Sequence, residues 1–491
     1  MLKSVQDSPL HRIANPRSVA FFGASNNITS MGTSQLLALL DMGYPGAVYP
    51  VHPKLEQVQG LKAYQSVLDL PEAPDLAVLV LPTRLVPEVI DQCGRRGIKR
   101  AVVVSGGFDE HGDQGRELQQ QLDQAAERHG IRYLGPNCLG VAAPHNQVNT
   151  TFLPYEARPG FIGMASQSGS FVTQMFDYLD KFGLGFSVAM SVGNEANLDL
   201  VDVIEYLAVE PHTKVIALYV ESLRRGRRFL EVAREVSPHK PIVALYVGGS
   251  EAGRRASLSH TGALAGPDRL YDGVFRQAGV IRARTLEEMF DFCWALADCP
   301  VPAGDRVVIQ THSGGPGATA ADACGRAGLQ LPPVSQATRQ KLAPYIPPTT
   351  SLNNPVDVTY TKNPLEYLLE MPKVLLADEG YDGMIFYYLV PEGAVKRALL
   401  AMGLDPDQAA AQAEAMLEQQ AAAIKEMVSA SGKPLVGFSF RTRDDAFIRR
   451  LQDQGVVVLP SGERAAAAMA ALVNYGRLRS KVLAAPWPAG T

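Results

Sequence analysis

The sequence predicts an α/β fold of three doubly wound parallel-sheet domains, and three observations carry that expectation. Short apolar runs at 18–22, 47–51, 76–81, 101–104 and 132–134 alternate with helix-length segments at 31–42, 85–95 and 114–129. Strand–helix alternation of this kind builds parallel sheets with helices on both faces. A second series follows: a strand at 161–165, a helix at 171–182, and strands at 187–192, 215–220 and 242–247. The third observation is an echo. Ser168-Gly169 and Gly183-Leu184 recur at one common offset as Ser313-Gly314 and Gly328-Leu329. Lys240-Pro241 recurs as Lys433-Pro434, and Gly279 with Glu287 as Gly455 with Glu463, so one sheet topology occurs twice. The expected domains are 10–150, 155–298 and 304–482, with a proline-rich linker at 299–304.

Composition narrows the function classes. At 491 residues the chain is too long for a single core. Hydrophobic content of 46% with 20% charged residues describes a soluble globular protein. A net charge of −4 gives no electrostatic reason to expect nucleic acid or an acidic membrane surface. The first eighteen residues lack the apolar core of a signal peptide, and the apolar runs are strand-sized, too short for a bilayer. Five cysteines, at 93, 138, 293, 299 and 324, show neither metal spacing nor a disulfide framework. A reducing cytoplasm is the expected location, and no metal site is expected.

The first series ends its strands in small, nearly uncharged loops at 23–32, 50–54, 82–83, 105–107 and 135–140. Ligands of doubly wound sheets bind beyond those carboxyl ends. Gly23, Ala24, Ser25, Lys54, Pro82, Ser105, Gly106, Asn137 and Cys138 are therefore the candidate cofactor-binding residues. The first loop is not G-x-G-x-x-G, and no acid closes the second strand; Lys54 follows it instead. A lysine there suits a phosphorylated ribose, which points to NADP or coenzyme A and away from NAD.

In the second series the turn Ser166-Gln-Ser-Gly-Ser170 joins a strand to a helix. Ser166, Ser168, Gly169 and Ser170 would cradle a phosphate with hydroxyls, exposed N–H groups and the helix dipole. Glu221 follows the strand at 215–220, and His260 lies in the small-residue loop after the strand at 242–247, with Gly262 beside it. Both should emerge at the edge that carries the turn. A carboxylate accepting from one imidazole nitrogen fixes the tautomer and sharpens the nucleophilicity of the other. Pro267 and Asp268 open the next helix, with Leu270, Tyr271, Val274, Phe275 and Ala278 expected on its buried face. The echo has no counterpart of the histidine loop between Pro434 and Gly455, so that loop is an insertion with a functional reason. A long Ala- and Gln-rich helix is expected over 404–430 and a loose tail over 484–491.

Five motifs in order, Gly135-Pro-Asn-Cys-Leu-Gly140, Ser166-Gln-Ser-Gly-Ser170, Val192-Gly-Asn-Glu195, Glu221 and Ser259-His-Thr-Gly-Ala-Leu-Ala-Gly266, give the chain a family resemblance. It resembles the α subunit of nucleoside-diphosphate-forming acyl-CoA synthetases, in the ADP-forming acetyl-CoA synthetase branch of the succinyl-CoA synthetase superfamily. The resemblance spans about residues 10–480. It implies a Rossmann-like CoA-binding domain followed by two flavodoxin-like domains. It also implies that His260 is phosphorylated while Glu221 holds its ring, and that carboxylate, CoA and ATP are interconverted with acyl-CoA, ADP and phosphate. No G-x-x-x-x-G-K-[ST] and nothing like an ATP-grasp domain is found in the chain. ATP or ADP with Mg²⁺ is therefore expected on a separate ATP-grasp β subunit, in a hetero-oligomer such as α2β2, acting on a small, acetate-like acid. Two alternatives stand beside this. One is an NADP-dependent oxidoreductase, resting on the first domain and Lys54; the other is a non-catalytic CoA-sensing relative.

Overall fold

A computed structural model describes residues 2–255, 266–347, 350–359, 363–389 and 392–485. His260 and Gly262, and the tail from 486 onward, lie outside the described residues. The chain divides into two compact units, 1–180 with 184–284 and 482–491, and 181–183 with 285–481.

The first unit holds two large sheets. In the first, five parallel strands lie in the order Ala47–Val51, Ser18–Phe22, Leu76–Leu79, Arg100–Val103, Arg132–Leu134. Every residue of Ser18–Phe22 and Leu76–Leu79 is buried, because helices Met31–Asp41, Val86–Arg96 and Gly112–His129 follow the strands and cover the sheet. In the second sheet, Ile162–Ser166 pairs in parallel with Phe186–Ser191 on one side and Val215–Val220 on the other. Ile242–Tyr246 and then Ile281–Ala283 continue the sheet beyond Val215–Val220. The parallel strands of both sheets thus share one chain order, 2-1-3-4-5, which creates a switch point between strands 1 and 3 in each.

The hairpin Val141–Ala143 and Val148–Asn149 was not expected as strand. It falls within residues 10–150 yet pairs with the second sheet, Ala142 opposite Ala189 and Val141 opposite Met190, in antiparallel register. A second small hairpin, Gln57–Val58 with Leu61–Lys62, follows the second strand of the first sheet. Two- and three-residue strands carry too little alternation to be read from sequence.

In the second unit the same parallel order recurs, with Val356–Asp357, Val307–Thr311, Gly383–Tyr387, Leu435–Phe438 and Val458–Leu459 in sequence across the sheet; Ser351–Leu352 adds an antiparallel edge. The echoed residues do matched work. Gly183, Gly279, Gly328 and Gly455 all sit at positive φ, the left-handed conformation that glycine adopts without cost at a helix end. Lys240 donates to the carbonyls of Leu207 and Glu210, and Lys433 to that of Asp378. Each lysine leads into its fourth strand and satisfies carbonyls at the end of the helix that precedes the third strand, Leu200–Val209 or Met371–Leu376. The expected long helix is Pro406–Ser431.

One helix departs from its expected face. Asp268–Ala278 buries Tyr271, Phe275 and Ala278, but Leu270 is 58% exposed. The buried stripe follows i, i+4, i+7, which leaves Leu270 beyond its edge. Pro267 is the cap before this helix, with ψ near 140°, and not its first residue. Among the described residues no helix is long and apolar enough to cross a membrane, and no cluster of three His, Cys, Asp or Glu could hold a metal.

Candidate functional site

A cavity of about 440 Å³ lies in the first unit, where the carboxyl ends of its two sheets meet. The ends of the third and fourth strands of the first sheet form one wall through Val80, Leu81 and Ser105. Asn137 to Leu139 supply another, and Gln167, Gly169 and Ser170 of the second sheet's turn close it. The approach is tight. A Cβ on Gly23, at φ +91°, would lie 1.9 Å from the Val80 carbonyl oxygen, and one on Gly32 would lie 2.3 Å from the Gly23 oxygen. Only glycine permits the first loop to fold onto its own helix and the neighbouring strand in this way. Thr33 locks the loop, accepting from the Ser25 amide and donating to the Ser25 carbonyl, both at 3.0 Å.

Two serine hydroxyls expected to meet ligand are used to shape the walls. Ser105 Oγ donates to the Leu81 carbonyl at 2.6 Å and accepts from the Leu81 amide at 3.1 Å, joining neighbouring strand ends. Ser166 Oγ donates to the Ser168 carbonyl at 2.7 Å and accepts from the Ser168 amide at 3.1 Å. Each such bond stabilises its turn by about 1 kcal/mol. The helix Gly169–Asp180 starts directly beyond, so its first N–H groups face the cavity mouth.

Glu221 is buried and stands at the end of Val215–Val220, next to the turn, because Ser166 and Tyr219 are register partners. The link between them is Gln167. Its carbonyl oxygen accepts from the amides of Glu221 and Ser222, and its amide donates to the Ser222 carbonyl. It also donates to Glu195 Oε2 at 2.7 Å. Glu195 is buried, and that burial pushes its carboxyl up to about 7 against the opposing hydrogen bonds from Leu200 and Gln167. Its loop is tied to the first sheet. Asn194 and Ala196 donate their amides to the carbonyls of Pro136 and Gly135, and Asn137 donates to the Asn194 side chain.

Of the expected residues, Ser105, Gly106, Asn137, Cys138, Gly169 and Ser170 line the cavity. Gly23, Ala24, Ser25, Pro82, Ser166 and Ser168 do not line it. Lys54 is exposed and also outside the lining. Cys138 is buried, its thiol donating to the Val103 carbonyl, and burial pushes it up to about 12, so it presents no thiolate. Gln167, Asn194, Met31 and Leu139, and the apolar Val80, Leu81 and Val104, were missed as lining residues. For Gln167 the signal was available: a lone amide between two turn serines.

Comparison with known proteins fits this geometry. The family description "CoA binding domain" matches residues 17–144, "Succinyl-CoA ligase like flavodoxin domain" matches 159–296, and "Ligase-CoA domain" matches 307–391. The acetate–CoA ligase (ADP-forming) II subunit alpha of Pyrococcus furiosus is 37% identical over 464 residues, 94% of this chain and 97% of that one. The chain belongs to the α subunits of the ADP-forming acyl-CoA synthetases. This α subunit is a CoA-binding component of an acid–thiol ligase, built from Rossmann-like and flavodoxin-like domains. Its fold is also that of the dinucleotide forming acetyl-coenzyme A synthetase 1 of Ca. Korarchaeum cryptofilum, solved with phosphate and ADP. The two share 32% identity and a TM-score of 0.84 over 98% of this chain and 99% of that one. The 4-hydroxybutyrate–CoA ligase (ADP-forming) of Nitrosopumilus maritimus is 36% identical over 419 residues, but the α subunit covers 59% of its length.

Proposed function

We propose that this α subunit binds CoA in the cavity and phosphate at the Ser166–Ser170 turn, and that His260 carries the phosphoryl group between that site and a nucleotide. The observation that supports this most is the Gln167 junction at the second switch point. Gln167 ties the turn to Glu221 beside a cavity that suits a long, mostly apolar chain carrying amides. Glycines at 23 and 32 leave room for close backbone approach at the other switch point.

The residues then act as follows. The N–H groups at the start of Gly169–Asp180 hold phosphate as it attacks the acyl-CoA carbonyl; acyl phosphate forms and the thiolate leaves. Glu221 holds one ring nitrogen of His260, so that the other attacks phosphorus, releasing the carboxylate and leaving a phosphohistidine. An ATP-grasp β subunit would hold ADP and Mg²⁺, which would neutralise phosphate charge, so that the phosphohistidine could pass its group to ADP; the reverse direction makes acyl-CoA. The alpha designation of the relatives supports a partner subunit, in an assembly such as α2β2. Three domains, 10–150, 155–298 and 304–482, a small acetate-like acid and a cytoplasmic location complete the reading.

The test uses the α subunit with its ATP-grasp partner, ATP labelled at the γ-phosphate, CoA, and acetate as probe acid. Wild type should take up acid-labile phosphate and form acetyl-CoA, whereas His260→Ala should lose at least about a thousandfold in both. Equal labelling of the two proteins would refute the histidine assignment.

A further inference from the structure

Gln167 has every hydrogen-bonding position of its side chain in use. The oxygen accepts the amides of Glu221 and Ser222, and the nitrogen donates to Ser222 O at 2.9 Å and Glu195 Oε2 at 2.7 Å. A side-chain amide has one acceptor oxygen and two N–H donors, so nothing is left over. Glu195 selects this orientation. Turned over, the amide would set its oxygen against a carboxylate oxygen and its N–H groups against two backbone N–H groups.

Glu195 itself is placed at some cost. It sits at φ +54°, a left-handed position that glycine or asparagine fills more readily, and its side chain is buried. Its second oxygen accepts the Leu200 amide at 2.8 Å. Both carboxylate oxygens therefore face donors, the pattern that an ionised acid satisfies and a protonated one does not.

We infer that Glu195 is a positioning residue for phosphoryl transfer: through Gln167 it fixes the backbone of Glu221 and Ser222, and with them the carboxylate that holds the His260 ring. The inference rests on the roles of His260 and Glu221 proposed above. The groups that face Glu195 come from three further segments. Asp199, before the helix Leu200–Val209, raises its pKa, and Arg224, after Val215–Val220, lowers it; Tyr271 of Asp268–Ala278 also couples to it. Burial is the largest influence, and the carboxyl titrates at about 7. Below that pH an O–H must point at either Leu200 N–H or the Gln167 amide. One of the two bonds to Glu195 is weakened; where it is the Gln167 bond, the amide that holds Glu221 and Ser222 loses its carboxylate support.

The experiment takes the α subunit with its ATP-grasp partner and supplies acetyl-CoA and labelled inorganic phosphate without ADP. The rate of acid-labile labelling is followed from about pH 5.5 to 8.5. Wild type should lose rate on the acid side with a midpoint near 7. Glu195→Gln should label about tenfold more slowly at the alkaline end, lose that acid limb, and keep its KM for acetyl-CoA within about twofold. A Glu195→Gln protein with wild-type rate and an unchanged limb overturns the inference alone, since the limb then belongs to the imidazole. Label persisting in His260→Ala overturns the site reading and the inference with it. Should Glu195→Gln fail to fold, hydrogen exchange on wild type decides. Protection of the Glu221, Ser222 and Leu200 amides, corrected for intrinsic rates, should fall below pH 7; protection independent of pH refutes the inference.

Discussion

The turn at 166–170 and its echo at 311–315 have the same skeleton and different attachments. Thr311 Oγ1 donates to the Ser313 carbonyl at 2.8 Å and accepts from the Ser313 amide at 3.1 Å, as Ser166 does with Ser168. Each turn opens a helix on a glycine, Gly169 or Gly314. The middle residue differs. Gln167 reaches backbone and carboxylate partners, whereas His312 lies against the rings of Tyr367 and Tyr387, and burial holds its pKa below the ordinary imidazole value. The adjacent strand ends differ too, in Glu221 beside the first turn and buried Tyr388 beside the second. A hydroxyl-braced turn is thus an architectural part of this fold. The chemistry depends on what the neighbouring strand ends present to it.

Several variants would break or sharpen that contrast. The largest effect is expected from Glu221→Gln, which should slow phosphohistidine formation by about a hundredfold with CoA affinity unchanged. Label found on His312 in place of His260 would break the contrast outright. Next is the cost of holding Glu195 ready. Because the folded protein raises its pKa from 4.5 to about 7, the folded state binds the proton more tightly, and stability falls as pH rises through that window. The loss should reach about 3 kcal/mol, read as the difference between wild-type and Glu195→Gln denaturation curves across pH. Ser166→Ala and Thr311→Val should each cost about 1 kcal/mol locally. Exchange at the amides of residues 168 and 313 measures both, and unequal losses would show that the two braces are not equivalent. The smallest effect belongs to Lys54→Ala, about twofold to fivefold weaker CoA binding by calorimetry. Dephospho-CoA should bind the variant and wild type alike.

The sheets were legible because their central strands, largely buried on both faces, are mostly apolar runs of five or six residues. The repeat was legible through glycines and lysines that end and begin elements, positions with a local conformational demand. The hairpin 141–149 was not, since its two- and three-residue strands are defined by pairing with each other and, through Val141–Ala143, with Phe186–Ser191. The site was half legible. Glycines and the position of Glu221 follow from strand ends, but the directions of the serine hydroxyls do not. The Gln167 junction gathers residues 28 to 55 positions apart, and no local pattern encodes it.

The hairpin carries a consequence for anyone dissecting the protein. Cutting near residue 150 to isolate the nucleotide-type lobe would carry away the two strands that cover the flank of Phe186–Ser191. The excised piece would keep a ribbon with nothing to pair with, and the remainder would bare the N–H and C=O row of a fully buried strand, an invitation to stick to its own kind. The two lobes should be expressed together, as one piece of chain.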